Sequence, residues 1–148
     1  MEQALIDREI SPRDELVWLL DYNGVKYSED PEGLRFILEE SVYKWETVCR
    51  YTRSAVLIYG YYPFETSETD ETLRLLNRIN SRLISGSMLL NGKRVVMRTC
   101  ADLHEIYGAH EAIAREIEYN ASAIVKFWQE IRFINAKNGK MRKEDAPQ

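Results

Sequence analysis

Residues 69–99, TDETLRLLNRINSRLISGSMLLNGKRVVMRT, predict a helix followed by two short strands folded back on each other. Leu73, Leu76, Ile79/Asn80, Leu83 and Ile84 recur at intervals of three and four, which lines one apolar stripe along a helix. Thr69 is the expected N-cap, with Ser67 as the alternative. Glu68, Asp70 and Glu71 put negative charge where the helix dipole favours it, and Gly86 is the expected stop. Residues 87–90 and 93–99 flank Asn91-Gly92, the strongest short hairpin signal, read as a type I′ turn.

On the N-terminal side the period changes from helical to alternating. Residues 34–40 alternate with Phe36 and Leu38 on one face. Residues 43–51 set Trp45, Thr47, Cys49 and Tyr51 against Lys44, Glu46, Val48 and Arg50. Short links predict that these strands and a third, 55–64 (AVLIYGYYPF), pair antiparallel as a meander. In the third strand Val56, Ile58 and Tyr62 share one side, while Ala55, Leu57, Tyr59 and Tyr61 share the other. Neither side is polar, which predicts a central strand covered on both faces. Gly60 marks a bulge or a point of close approach, and Pro63 the strand end.

Before the meander, Ser11-Pro12-Arg13-Asp14 opens a helix with Leu16, Val17, Leu19 and Leu20 inward, closed by Asn23-Gly24. Residues 25–28 form a short strand or a connector, and 30–33 a turn. After the hairpin, a long helix reaches Ile134 on a stripe of Ile113, Ile117, Ala121, Ile124, Trp128 and Ile131. Phe127, Phe133 and Ile134 widen its apolar arc beyond one packing face. The expected organisation is an N-terminal extension over 1–10, one α+β domain over 11–135 with an antiparallel sheet of about five strands, and a disordered tail over 136–148.

Composition narrows the function classes. A net charge of −4 and a pI near 5.3 argue against nucleic acid as the main partner. No apolar run has the roughly 20 residues of a membrane helix, and the acidic N-terminal MEQALIDREI lacks a signal-peptide core, so the cytoplasm is the expected location. Cys49 and Cys100 have no metal-like spacing and read as reduced, small apolar strand residues. His104 and His110 have no matching ligand set, so neither a metal site nor a cofactor is predicted. No nucleophile, P-loop, dinucleotide or zinc-protease motif is present, and the chain reads as a non-enzyme. Asn77 and Asn80 are expected to hydrogen-bond strand ends or the following loop.

The order helix, meander ending in a tyrosine-rich strand and Pro, helix carrying Leu76-Asn77-Arg78-Ile79-Asn80, hairpin over 86–98 and long final helix resembles the YbjN-like family, whose fold resembles type III secretion chaperones. The resemblance spans about 11–135 and implies a bacterial cytosolic α+β domain, often dimeric and without known catalysis. The expected function is a non-enzymatic protein-binding domain, chaperone-like or regulatory, forming a homodimer. Its expected partner-binding residues are Leu57, Tyr59, Tyr61, Trp45, Phe127 and Ile134, with Trp45 or Val48 joining whichever side is shared. The alternative is a small-molecule-binding or enzymatic domain with a pocket between sheet and last helix, lined by His104, His110, Tyr107 and a cysteine.

Overall fold

Ser11 opens the first helix, α1 (Pro12–Tyr22), by accepting a 3.3 Å hydrogen bond from the Asp14 N–H. Asn23 caps its end, and Gly24 takes the left-handed turn at φ 68°. The computed structural model describes residues 11–66, 69–104 and 108–145, with side chains described as far as Ile134. The N-terminal extension over 1–10, Ser67, Glu68 and Tyr107 lie outside the described residues.

Strands β1 (Tyr27–Asp30), β2 (Gly33–Glu40), β3 (Tyr43–Tyr51) and β4 (Ala55–Glu65) follow as antiparallel hairpins. The carboxylate of Asp30 builds the first turn, accepting from the N–H groups of Glu32 and Gly33 at 2.8 and 3.2 Å. Helix α2 (Asp70–Arg82), strands β5 (Ser87–Asn91) and β6 (Arg94–Asp102), and helix α3 (Ala109–Asp145) complete the chain. The class is α+β, with an open antiparallel sheet of six strands in the order β1-β2-β3-β4-β6-β5. The sequence predicts about five strands; the sixth is β1, which the Asp30 turn folds onto β2.

Register separates the two faces of the sheet. Leu34, Phe36, Trp45, Cys49, Val56, Ile58, Tyr62, Met88, Val95, Met97 and Ala101 point to one side and form two buried clusters with Leu16 and Leu20 of α1, Leu75, Leu76 and Ile79 of α2, and Ile113, Ile124, Phe127 and Ile131 of α3. All three described helices therefore lie on one face. Gly60 lets α3 approach: a Cβ there would overlap Ile124 Cδ1 and lie 2.5 Å from Asn120 Oδ1. Buried Asn120 donates to the carbonyls of Ile58 and Met97 at 3.2 and 3.0 Å, and Tyr62 donates to the Ile124 carbonyl at 2.7 Å.

Three local expectations change. Helix α2 ends at Arg82 with Leu83 as its C-cap, so Ile84 falls in the loop at 93% exposure. Its buried face is Thr72, Leu75, Leu76 and Ile79, while Leu73 points outward. The second hairpin closes on the pair Asn91–Arg94, so its loop is Gly92-Lys93. Only Gly92 has positive φ, 64°, which is the pattern of a II′ turn rather than I′. Helix α3 continues past Ile134 to Asp145, through the stretch expected to be disordered. Ala136, Lys137, Lys140, Met141, Arg142, Lys143 and Glu144 are strong helix formers, and residues 146–148, including Pro147, lie outside the described residues.

Candidate functional site

Strand alternation puts a second set of side chains on the face opposite the helices. Ser28, Arg35, Val48, Tyr59, Arg98 and Ser87 form one row across the six strands. Ile37, Glu46, Tyr61, Val96 and Leu89 form the next, and Arg50, Leu57 and Cys100 the one beyond Tyr59. Among the described residues, no helix or strand lies over this face.

Val48 and Val96 are nevertheless 2% and 0% exposed, and they belong to neither core cluster. Val48 sits between Arg35 and Tyr59, and Val96 between Tyr61 and Leu89, so long side chains of the same face flank both. The guanidinium of Arg50 lies 5.7 Å and that of Arg98 5.9 Å from the Tyr59 ring centroid, one from each flanking strand. Arg94 lies 5.0 Å from the ring of Tyr61. Two of these cations are held in place. Arg94 donates to the Tyr62 carbonyl through Nε and Nη2 at 3.1 and 3.0 Å, and Arg98 Nε donates to the Tyr59 hydroxyl at 3.4 Å.

The two halves of the face differ in charge pairing. On the β1–β2 side, Arg35 meets Asp30, Glu32 and Glu46 at 2.6, 2.8 and 3.3 Å. The Arg35 hydrogen bond, helped by the Glu32 N–H, holds the Asp30 carboxyl below its usual range. On the β4–β6 side, among the described residues, no carboxylate lies within 4 Å of Arg94 or Arg98, and Arg50 has only Glu32 at 3.7 Å. Cys100 is an exposed thiol on this face, pushed up by partial burial and then by the Asp102 carboxylate, whereas Cys49 is buried against the helices. The reading of Cys100 as a small apolar strand residue thus gives way to a surface thiol.

The expected partner-binding residues divide. Leu57, Tyr59 and Tyr61 lie half-buried on the open face, and Val48 is the β3 residue that joins them. Trp45, Phe127 and Ile134 are buried in this chain's own core instead, at 1%, 1% and 7% exposure. Trp45 has the opposite parity to Val48 and meets Trp128 edge-on at 6.5 Å. Phe127 and Ile134 are buried because α3 packs against both the sheet and α2, which needs the wider apolar arc; Phe133 is the member left outside, at 69%. The cations were the part sequence reasoning missed. Arg50 lies on β3 and Arg94 and Arg98 on β6, with β4 and its tyrosines between them, and only the register assembles them.

The residues of the small-molecule alternative do not converge. His110 stacks on Trp18 with centroids 4.0 Å apart and contacts Glu15, which ties α3 to α1. His104 is exposed, and Cys100 faces away from the helices. A groove of about 660 Å³ runs along the β1–β2 edge past Val25, Tyr27, Ile37 and Leu38, with neither histidine nor cysteine in its lining. Among the described residues, no cluster of His, Cys, Asp or Glu is placed to hold a metal ion, and no helix is long and apolar enough to cross a membrane.

Asn80 does what was expected of it. Its side-chain amide donates to the Met88 carbonyl at 3.0 Å and accepts from the Met88 N–H at 2.6 Å, so it occupies the outer edge of β5.

No protein-family model matches the chain, and no curated protein matches it. Among solved structures, the crystal structure of YbjN from E. coli, described as a proposed transcription regulator, aligns with a TM-score of 0.58 at 16% identity, over 79% of this chain and 91% of that one. The chain therefore has a YbjN-like α+β fold. At that identity the likeness speaks for the fold alone.

Proposed function

We propose that the chain is a non-enzymatic protein-binding domain, chaperone-like or regulatory, that docks its partner on the open face of its sheet. The observation that carries the reading is the pair Val48 and Val96, buried on this face beside Tyr59, Tyr61 and their arginines with no described element above them. A sheet face of this kind offers a dry centre, rigid aromatic anchors and a charged rim, the anatomy of a protein interface. The description of YbjN as a proposed transcription regulator favours the regulatory form of the proposal.

Self-association through this face belongs to the same proposal, a two-fold dimer being the commonest oligomer. Light scattering after size exclusion at tens of micromolar tests it, and a mass near 17.4 kDa would count against a stable dimer. The docking proposal is tested with the double variant Tyr59→Lys, Tyr61→Glu as bait beside the parent chain. The parent should retain a specific protein and form a stoichiometric complex with it once purified, and the folded variant should lose it. Equal retention by both would remove the open face from the account.

A further inference from the structure

Resting on that reading, we infer that the partner binds through an extended segment in which carboxylates alternate with apolar side chains, and that Arg50, Arg94 and Arg98 read those carboxylates. The argument is charge complementarity on an otherwise acidic chain. The protein carries a net charge of −4, yet this part of its surface gathers three guanidinium groups around Tyr59 and Tyr61. On the other side of the face, Arg35 is already paired with Asp30, Glu32 and Glu46, and Lys44 with Glu39. Arg94 and Arg98, without carboxylate partners among the described residues, are held by the Tyr62 carbonyl and the Tyr59 hydroxyl. A fixed planar fork of donors is suited to a carboxylate and loses little freedom on binding one.

Spacing excludes a single small anion. Arg94 and Arg98 are four residues apart on β6, about 13 Å at roughly 3.3 Å per residue, so one small ion cannot bridge them. An extended peptide with acids about four residues apart matches both, and its intervening side chains would lie against Tyr61 and Leu89, which flank buried Val96 between the two arginines. Single-stranded nucleic acid shares the negative charge but fits less well. Its bases need bare aromatic rings to stack on, whereas Tyr59 has a guanidinium over it from each side and Tyr61 has one. The net charge also repels a long polyanion.

The probe is a fluorescein-labelled twelve-residue peptide of Val, Leu and Thr with Glu at every fourth position, read by anisotropy at low and moderate salt. Its controls are the same peptide with Gln for Glu and a single-stranded oligothymidylate. The acidic peptide should bind, weaken with salt, and weaken about tenfold with Gln for Glu. It should weaken similarly with Arg50→Gln plus Arg98→Gln, both exposed positions, in a variant whose cooperative thermal transition shows that it is folded. Binding should also protect Cys100 from alkylation, and buried Cys49 gives no background. No binding by the acidic peptide, equal binding by the Gln peptide, or tighter binding by the oligothymidylate would each overturn the inference. A captured protein that is lost with the tyrosine variant but kept by the arginine variant would overturn the acidic segment alone and leave the docking face standing.

Discussion

Gly60 and Gly92 show how single residues set local geometry for different reasons. Gly60 has ordinary φ but no room, since a methyl group there meets the fixed amide of Asn120 and the end of Ile124. Gly60→Ala should cost about 1–3 kcal/mol through overpacking, read as a lower urea midpoint with an unchanged m-value. Gly92 has room but a φ of 64°. Gly92→Val should cost about 1–2 kcal/mol by forcing a β-branched residue into the left-handed region, read in the same titration. Sequence placed both glycines correctly as special positions. It misplaced the turn by one residue because Asn-Gly is a frequency signal, whereas the closing pair Asn91–Arg94 depends on how Val95 and Met97 must face the core. The choice between Trp45 and Val48 stays open in the sequence for a related reason. Alternation gives their opposite parity at once, but which parity faces the helices depends on contacts distant in sequence.

At the scale of elements, the edges of the sheet are treated differently. The outer side of β5 is closed by Asn80, which substitutes its amide for a missing strand. Asn80→Ala should leave the Met88 N–H and C=O without a partner, cost about 1–3 kcal/mol, and expose an edge that promotes association. The check is a paired measurement of unfolding free energy and of scattering after prolonged incubation. At the other edge, Glu29 in β1 takes hydrogen bonds from Arg13 of α1 at 2.6 and 3.0 Å and from Tyr51 at 2.9 Å. Arg13 first and Tyr51 second hold its carboxyl low, as Arg35 does for Asp30. Both folded pKa values lie below their unfolded values near 4. Their contribution is therefore present above about pH 4–5 and fades as the pH falls through the folded values. The thermal-midpoint difference between the parent and Glu29→Gln, Asp30→Asn should be largest at neutral pH and close below about pH 3. The helices, the meander and the hairpin were legible because each carries its own period and caps. The short strand β1 was legible only as a strand or connector over 25–28, because its four residues, YSED, have no apolar alternation, and the side chain of Asp30 makes the turn.

For the whole molecule, the decisive asymmetry is that α1, α2 and α3 all pack on one side of a sheet whose central strand is apolar on both. The sequence registered the surplus as Leu57, Tyr59 and Tyr61 but could not count the helices on each face, since three helices could have divided between them. It also counted Phe127 and Ile134 as surplus, because the packing of α3 against α2 is invisible to a single helix's periodicity. The central claim is that the face of Tyr59 and Tyr61 is open in the isolated chain and reserved for a partner. It is tested most directly by the thermal midpoint of the Tyr59→Lys, Tyr61→Glu variant. An open face predicts a cooperative transition lowered by no more than about 8 °C, the equivalent of roughly 2 kcal/mol of lost packing over Val48 and Val96. Loss of the folded transition would contradict the account, because two charges forced into a covered site cost several kcal/mol, comparable with the roughly 5–15 kcal/mol that holds a domain together.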